Sequence, residues 1–294
     1  MRLPTVILEG KIIPRMIFSI RPQTPFDPQG IFSLMKKIFE MGAWCFDLLS
    51  AKHLESFKKL KSLTNDEDLI GLCHLELESG ASFLGKPLHQ FESKVISTLI
   101  KNIIPPDLTW NLFPAHASQE VFTQKEIDRI TFDPLRFDKA LASFNPQETP
   151  SLLLGGRYGD WLLGMGRSDL LREMILRVRG KGFIPIFSGQ WATFVLPKAK
   201  HLDVAAYAIP INQKWSLFDL TKACDIIKKF EKPIISLNPL ANGKLLQKTE
   251  EAFSFLFDEL KIYSAITEVA SEKEAQKIFE VLKKFPSLIP FRKT

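Results

Sequence analysis

Ile234-Ile235-Ser236-Leu237-Asn238, followed without a break by Pro239-Leu240-Ala241-Asn242-Gly243-Lys244-Leu245, decides the fold. The first five residues form a short β-rich run. Pro, Asn and Gly then supply turn chemistry before a helix. The same strand-turn-helix unit recurs outward in both directions. Strand runs are expected at Tyr263 to Val269 on one side, and on the other at Val204 to Ile209, Phe183 to Ser188 and Ser151 to Gly155. Nearer the N-terminus, Leu69 to Glu76, Ala43 to Leu48 and Arg15 to Ile20 complete eight. Between them apolar residues recur at helical spacing, as in Ile31, Leu34, Met35 and Ile38, or Ala275, Ile278, Phe279 and Leu282. Ser271-Glu272-Lys273-Glu274 and Thr123-Gln124-Lys125-Glu126 have the form of capping boxes and mark helix starts.

Eight strand-helix units predict a (β/α)₈ barrel, an α/β fold, with residues 1–294 forming one domain. Val6-Ile7-Leu8 and Ile12-Ile13 flank a turn at Glu9-Gly10-Lys11, which reads as an N-terminal hairpin closing the barrel's bottom. Residues 105–150 read as an elaborated loop or lid between strands three and four. Leu108 to Pro114 also has strand character, and the alternative is that it replaces one of the eight.

Side chains alternate along a strand, so one parity faces the interior. The rule sends Ser19 and Arg21 inward on strand one, Cys45 and Asp47 on strand two, His74 and Glu76 on strand three, and Ser188 on strand five. It continues with Ala208 and Asn212 around strand six and Ser236 and Asn238 on strand seven. Arg157 follows strand four and Glu268 ends strand eight. Charges of both signs therefore gather at the C-terminal ends of the strands, where barrels of this kind place their active sites.

Asp47, His74 and Glu76 are the acid/base candidates, and Arg21, Arg157, Tyr158, Asn212 and Glu268 the substrate-binding ones, for a small anionic substrate. The alternative at the charged ring is a satisfied ionic layer. His74 and Glu76 with Asp47 and His116 contain metal-ligand chemistry, but their spacing fixes no ligand set, so no metal is expected. Gly155-Gly156-Arg157-Tyr158-Gly159-Asp160-Trp161 is either a binding loop or a tight turn with an Arg–Asp pair. The 238–245 turn lies where such barrels often hold phosphate on loop amides. P-loops, serine elbows and three-glycine nucleotide fingerprints are absent from the sequence.

The net charge of +6 is spread over helix faces, as in Phe57-Lys58-Lys59-Leu60-Lys61, which argues against a nucleic-acid partner. Cys45, Cys73 and Cys224 lie in apolar runs without metal spacing and read as buried thiols. No apolar run has the length of a membrane span, and the N-terminal run is short for a signal peptide, so a cytoplasmic protein is expected. The oligomeric state is left open.

The last third, residues 183–285, resembles the aldo-keto reductases, with weaker echoes in the first 60 residues. Asn238-Pro239-Leu240-Ala241-Asn242-Gly243-Lys244-Leu245 is similar to that family's proline-leucine-alanine-x-glycine loop beside the cofactor pyrophosphate. Phe187-Ser188-Gly189 stands where the family has a serine-asparagine pair, Pro210-Ile211-Asn212 is similar to its sixth-strand ending, and Ser271 to the serine before its cofactor-binding helix. The resemblance implies an oxidoreductase with NADP as cofactor, held by Ser188, Asn238, Leu240, Asn242, Gly243, Lys244 and Ser271. Of the family's catalytic Asp, Tyr, Lys and His, it carries over the aspartate alone, as Asp47. Ala51, Lys52 and His53 surround the tyrosine position, His74 and Glu76 stand for the lysine, and Gly156-Arg157 for the histidine. Two other functions stay open. One is a non-redox lyase, isomerase or hydrolase using Asp47, His74 and Glu76. The other is a silent barrel that binds partners through aromatics such as Trp191, Trp215 and Phe291.

Overall fold

The computed structural model describes residues 3–21, 28–75, 80–103, 120–214 and 220–287, without the side chains of 192–195. The chain opens with β1 (Thr5–Leu8) and β2 (Lys11–Pro14), paired antiparallel with Leu8 opposite Lys11. Glu9 and Gly10 turn between them at φ 45° and 79°, the left-handed pair that a two-residue hairpin of matching twist requires.

Then follow β3 (Met16–Ile20), β4 (Cys45–Leu48), β5 (Ile70–Leu75), β6 (Ala81–Phe83), β7 (Lys86–Pro87), β8 (Ile130–Phe132), β9 (Ser151–Leu154), β10 (Ile184–Ser188), β11 (Ala206–Pro210), β12 (Ile234–Leu237) and β13 (Ser264–Val269). Strands β3, β4, β5, β9, β10, β11, β12 and β13 pair in that order, all in parallel, and β13 returns to β3 to close the barrel. These are the eight strands expected from the sequence. They close the ring without Leu108 to Pro114, a segment outside the described residues.

Alternation along the strands splits the core in two. Ile17, Cys45, Leu72, Leu153, Ile186, Ala206, Ala208, Ile235 and Ile266 pack inside the barrel. Val6, Leu8 and Ile13 of the hairpin join that cluster, so the hairpin stoppers the N-terminal end. The opposite parity, including Phe18, Phe46, Cys73, Leu152, Phe187 and Tyr207, packs against the helices. Phe18, for example, stacks on Phe279 at 5.0 Å between ring centroids. One parity assignment is reversed: Ile235 and Leu237 face the interior, and Ser236 donates its hydroxyl to Ile211 O at 2.7 Å.

The elaboration between β5 and β9 carries an antiparallel sheet in the order β7-β6-β8, which begins at Ala81, ahead of the stretch marked by sequence. Rings of Phe83, Phe91 and Phe122 meet edge to face and tie this sheet to the helix Glu92–Ile103. The capping box at Thr123 is present in full. At the last helix, Glu272–Leu282, Ser271 Oγ accepts from Glu274 N while the Glu274 carboxylate accepts from Ala270 N.

Candidate functional site at the barrel mouth

The C-terminal strand ends surround a cavity of about 440 Å³. Register fixes three neighbours on its wall: Glu268 on β13 lies opposite Ser19 on β3, and Ser19 opposite Asp47 on β4. Asp47 is buried, and its Oδ1 lies 2.6 Å from Nε2 of His74 on β5. A carboxylate only accepts, so Nε2–H donates. The His74 side chain keeps 28% of its surface exposed and lines the cavity, which makes Asp47 the orienting partner and His74 the accessible member.

The facing wall depends on glycine. Gly155 has φ 124°, and a Cβ there would stand 2.4 Å from Ser188 O, so only glycine lets the ends of β9 and β10 approach this closely. Ser188 and Gln190 line the cavity beside it. The 155–161 segment is neither loop nor turn pair: the helix Gly156–Gly164 starts within it. Its first turn brings Arg157 to the cavity rim, where NH1 donates to Glu92 Oε1 at 3.1 Å in an exposed pair. Asp160 is buried, and its Oδ2 accepts from Gln190 N at 2.6 Å and Trp191 N at 2.9 Å. Burial pushes this carboxyl up to about 7 against the opposing effect of those two amides.

After β12, Asn238 lines the cavity and its Oδ1 accepts from Asn242 N at 2.6 Å. Asn238, Ala241, Asn242 and Gly243 all take left-handed φ values between 51° and 84°, which winds the loop tightly and leaves 242–244 exposed.

Several expected site residues fall elsewhere. Arg21 lines a second cavity of about 250 Å³ with Lys37 and Ser271, between the helices Pro28–Glu40 and Glu272–Leu282. Arg21 and Arg157 therefore do not share one ring. Tyr158 is buried and stacked on Trp161, and its hydroxyl accepts from His89 N at 2.7 Å, so it anchors the elaboration rather than a substrate. Asn212 is buried: Nδ2 donates to Asn238 O and Oδ1 accepts from Lys214 N, which locks the two loops together. Leu240 is core. Trp191 is half-buried against the core, and His53 is sealed between Ser50 Oγ and Ile20 O, each at 2.8 Å. Glu76, His116, Trp215 and Phe291 lie outside the described residues. Cys45 and Cys73 are buried, as expected, and burial raises both thiols. Cys224 is half-exposed.

Gln190 and Leu49 were not anticipated as lining residues. Extending the strand parity two residues past Ser188 and past Asp47 finds both. Among the described residues no cluster of three or more His, Cys, Asp or Glu could hold a metal, and no helix is long and apolar enough to cross a membrane.

No protein-family model and no curated protein matches the sequence. Solved structures do. The holo form of an aldo-keto reductase from Bacillus halodurans superposes with a TM-score of 0.59 at 10% identity, over 98% of this chain and 93% of that one. An aldo/keto reductase from Klebsiella pneumoniae, in complex with NADP and acetate, gives 0.52 at 10% identity, over 98% and 92%. One from Brucella melitensis gives 0.54 at 14%, over 95% and 93%. The fold is an aldo-keto-reductase-like barrel. On it, Asp47 and His74 lie on the second and third barrel strands, and Gly155-Gly156 follows the fourth.

Proposed function

We propose that the chain is an oxidoreductase that uses NADPH to reduce a small substrate bearing an anionic group, with His74 as the proton-handling residue. The observation that carries this reading is the Asp47–His74 pair on one wall of a cavity whose other wall holds Ser188, Gln190 and Asn238. A hydroxyl and two carboxamides together offer both donors and acceptors, the set that recognises a nicotinamide carboxamide. The exposed 242–244 loop, left-handed at Asn242 and Gly243 and carrying Lys244, suits the pyrophosphate, and Ser271 stands further along at the start of the last helix. Bound NADPH supplies hydride. The chain's own part is the proton: Asp47 fixes the His74 ring by accepting from its Nε2, and the ring, when protonated, donates to the substrate oxygen as charge develops there. Arg157 at the rim attracts the anionic group.

Titration of the purified protein with NADPH, followed by nicotinamide fluorescence, tests the reading. Saturable binding that is lost when Asn242 and Lys244 are both changed to alanine supports it. Absence of binding rejects it. A second reading rests on the same dyad: Asp47 and His74 form a complete acid/base pair, sufficient for a cofactor-free isomerase, lyase or hydrolase. Proton exchange from substrate without NADPH would select it.

A further inference from the structure

The strand register sets Glu268, Ser19 and Asp47 side by side on the cavity wall, roughly 4.8 Å from strand to strand. Ser19 is 1% exposed, and its Oγ has no hydrogen-bond partner among the described residues. A buried hydroxyl without a partner is costly, and in a wall facing a cavity it points to a group that arrives with the ligand. Its neighbours narrow the chemistry. Glu268 is exposed to the cavity and no described residue pairs with it, while the charge of Asp47 is balanced by His74 whenever the ring is protonated. One net negative charge and a row of acceptors remain.

We infer that Glu268 and Ser19 bind a protonated amine of the substrate. An ammonium group has three donors and no acceptor, which matches a carboxylate and a hydroxyl placed side by side. The inference rests on the reading of this cavity as the substrate site, and it narrows the substrate class. In an eight-stranded ring β13 and β9 lie four strands apart, so Glu268 and Arg157, which follows β9, stand on opposite walls. A molecule that meets both is a zwitterion with its anionic group toward Arg157 and its amine toward Glu268.

Titration calorimetry with two matched probes, 4-aminobutyrate and butyrate, reads this directly and needs no nicotinamide. Wild-type protein is expected to bind 4-aminobutyrate about tenfold more tightly than butyrate, as a charge-assisted hydrogen bond allows. Glu268→Gln is expected to bring that ratio to about one while butyrate affinity stays unchanged. Ser19→Ala is expected to lower the ratio with an unchanged or higher melting temperature, because it removes an orphan hydroxyl. Equal binding of the two probes, no binding of 4-aminobutyrate, or a preference that survives Glu268→Gln would overturn the inference. An amine preference in a protein that fails to bind NADPH would reject the reductase reading and leave this site standing.

Discussion

His74 Nε2 lies 2.6 Å from Asp47 Oδ1, and this hydrogen bond joins two adjacent barrel strands at the floor of the mouth. Asp47 is 2% exposed, so its charge has exchanged water for one imidazole. Removing His74 leaves the buried Asp47 carboxylate without its imidazole. Asp47→Asn is expected to keep the ring near its place yet remove the carboxylate charge beside it. Turnover on any substrate found should fall about 10²–10⁴-fold, with the far-ultraviolet circular dichroism unchanged. Full activity in this variant would remove the dyad from the chemistry.

Asp160 gives stability a pH dependence of unusual sign. Its folded carboxyl is pushed up to about 7, well above the ordinary aspartate range, by burial beneath the 189–191 loop. Between about pH 4 and 7 the native state therefore holds a proton that the unfolded state has released. This contribution is fully present below the unfolded pKa and is lost as pH rises through 7, on the order of a few kcal/mol. Urea unfolding across that range should show wild-type stability losing ground to Asp160→Asn, which keeps an oxygen for the two amides. Parallel curves for the two proteins would refute the assignment.

Two glycines with left-handed backbone should respond differently to alanine. Gly155 has φ 124° and a backbone oxygen 2.4 Å from the position of its missing Cβ, whereas Gly243 has φ 84° with open space around it. Gly155→Ala is expected to cost about 3 kcal/mol or more, and Gly243→Ala about 1 kcal/mol. Chemical denaturation of both variants measures the difference, and equal costs would contradict the packing described.

Arg157 and Arg21 also separate. The Arg157–Glu92 pair is exposed, so Arg157→Ala should shift stability by no more than about 0.5 kcal/mol. It should nonetheless weaken binding of carboxylate ligands at the mouth. Arg21→Ala, in the second cavity, should leave that binding unchanged. Thermal shift and calorimetry on the two variants provide the comparison, and equal effects would merge the two cavities into one site.

The barrel was legible because its signal is periodic. Eight short β-rich runs, each closed by turn residues, need no long-range information to be recognised, and the same holds for the Glu9-Gly10 hairpin. Parity then placed Asp47, His74, Ser188 and Glu268 in the mouth, since each sits within or at the end of a strand. It went astray where the chain changes conformation. Parity rules stop at Gly156, where a helix begins and successive side chains turn by about 100°. Arg157 meets the cavity while Tyr158 turns to His89. Arg21 follows the last residue of β3, and its side chain swings out to the helices. Alternation sent Ser236 inward together with Asn238, but Asn238 leaves the strand at φ 54°, Ile235 and Leu237 face the interior, and the carbonyl of Ile211 satisfies the Ser236 hydroxyl on the outer side. The antiparallel sheet at Ala81 was missed because three- and two-residue strands carry too little periodicity to register.

On the proposed reading, His74, held by Asp47, moves the proton of a nicotinamide-dependent reduction in this cavity. NADPH consumption in the presence of small carbonyl acids, with and without an amino group, compares wild type with His74→Gln most directly. Turnover by the wild type is expected, with a fall of about 10²-fold or more in kcat for the variant and NADPH affinity retained. A variant as active as the wild type, or no NADPH consumption with any of these compounds, would contradict that reading.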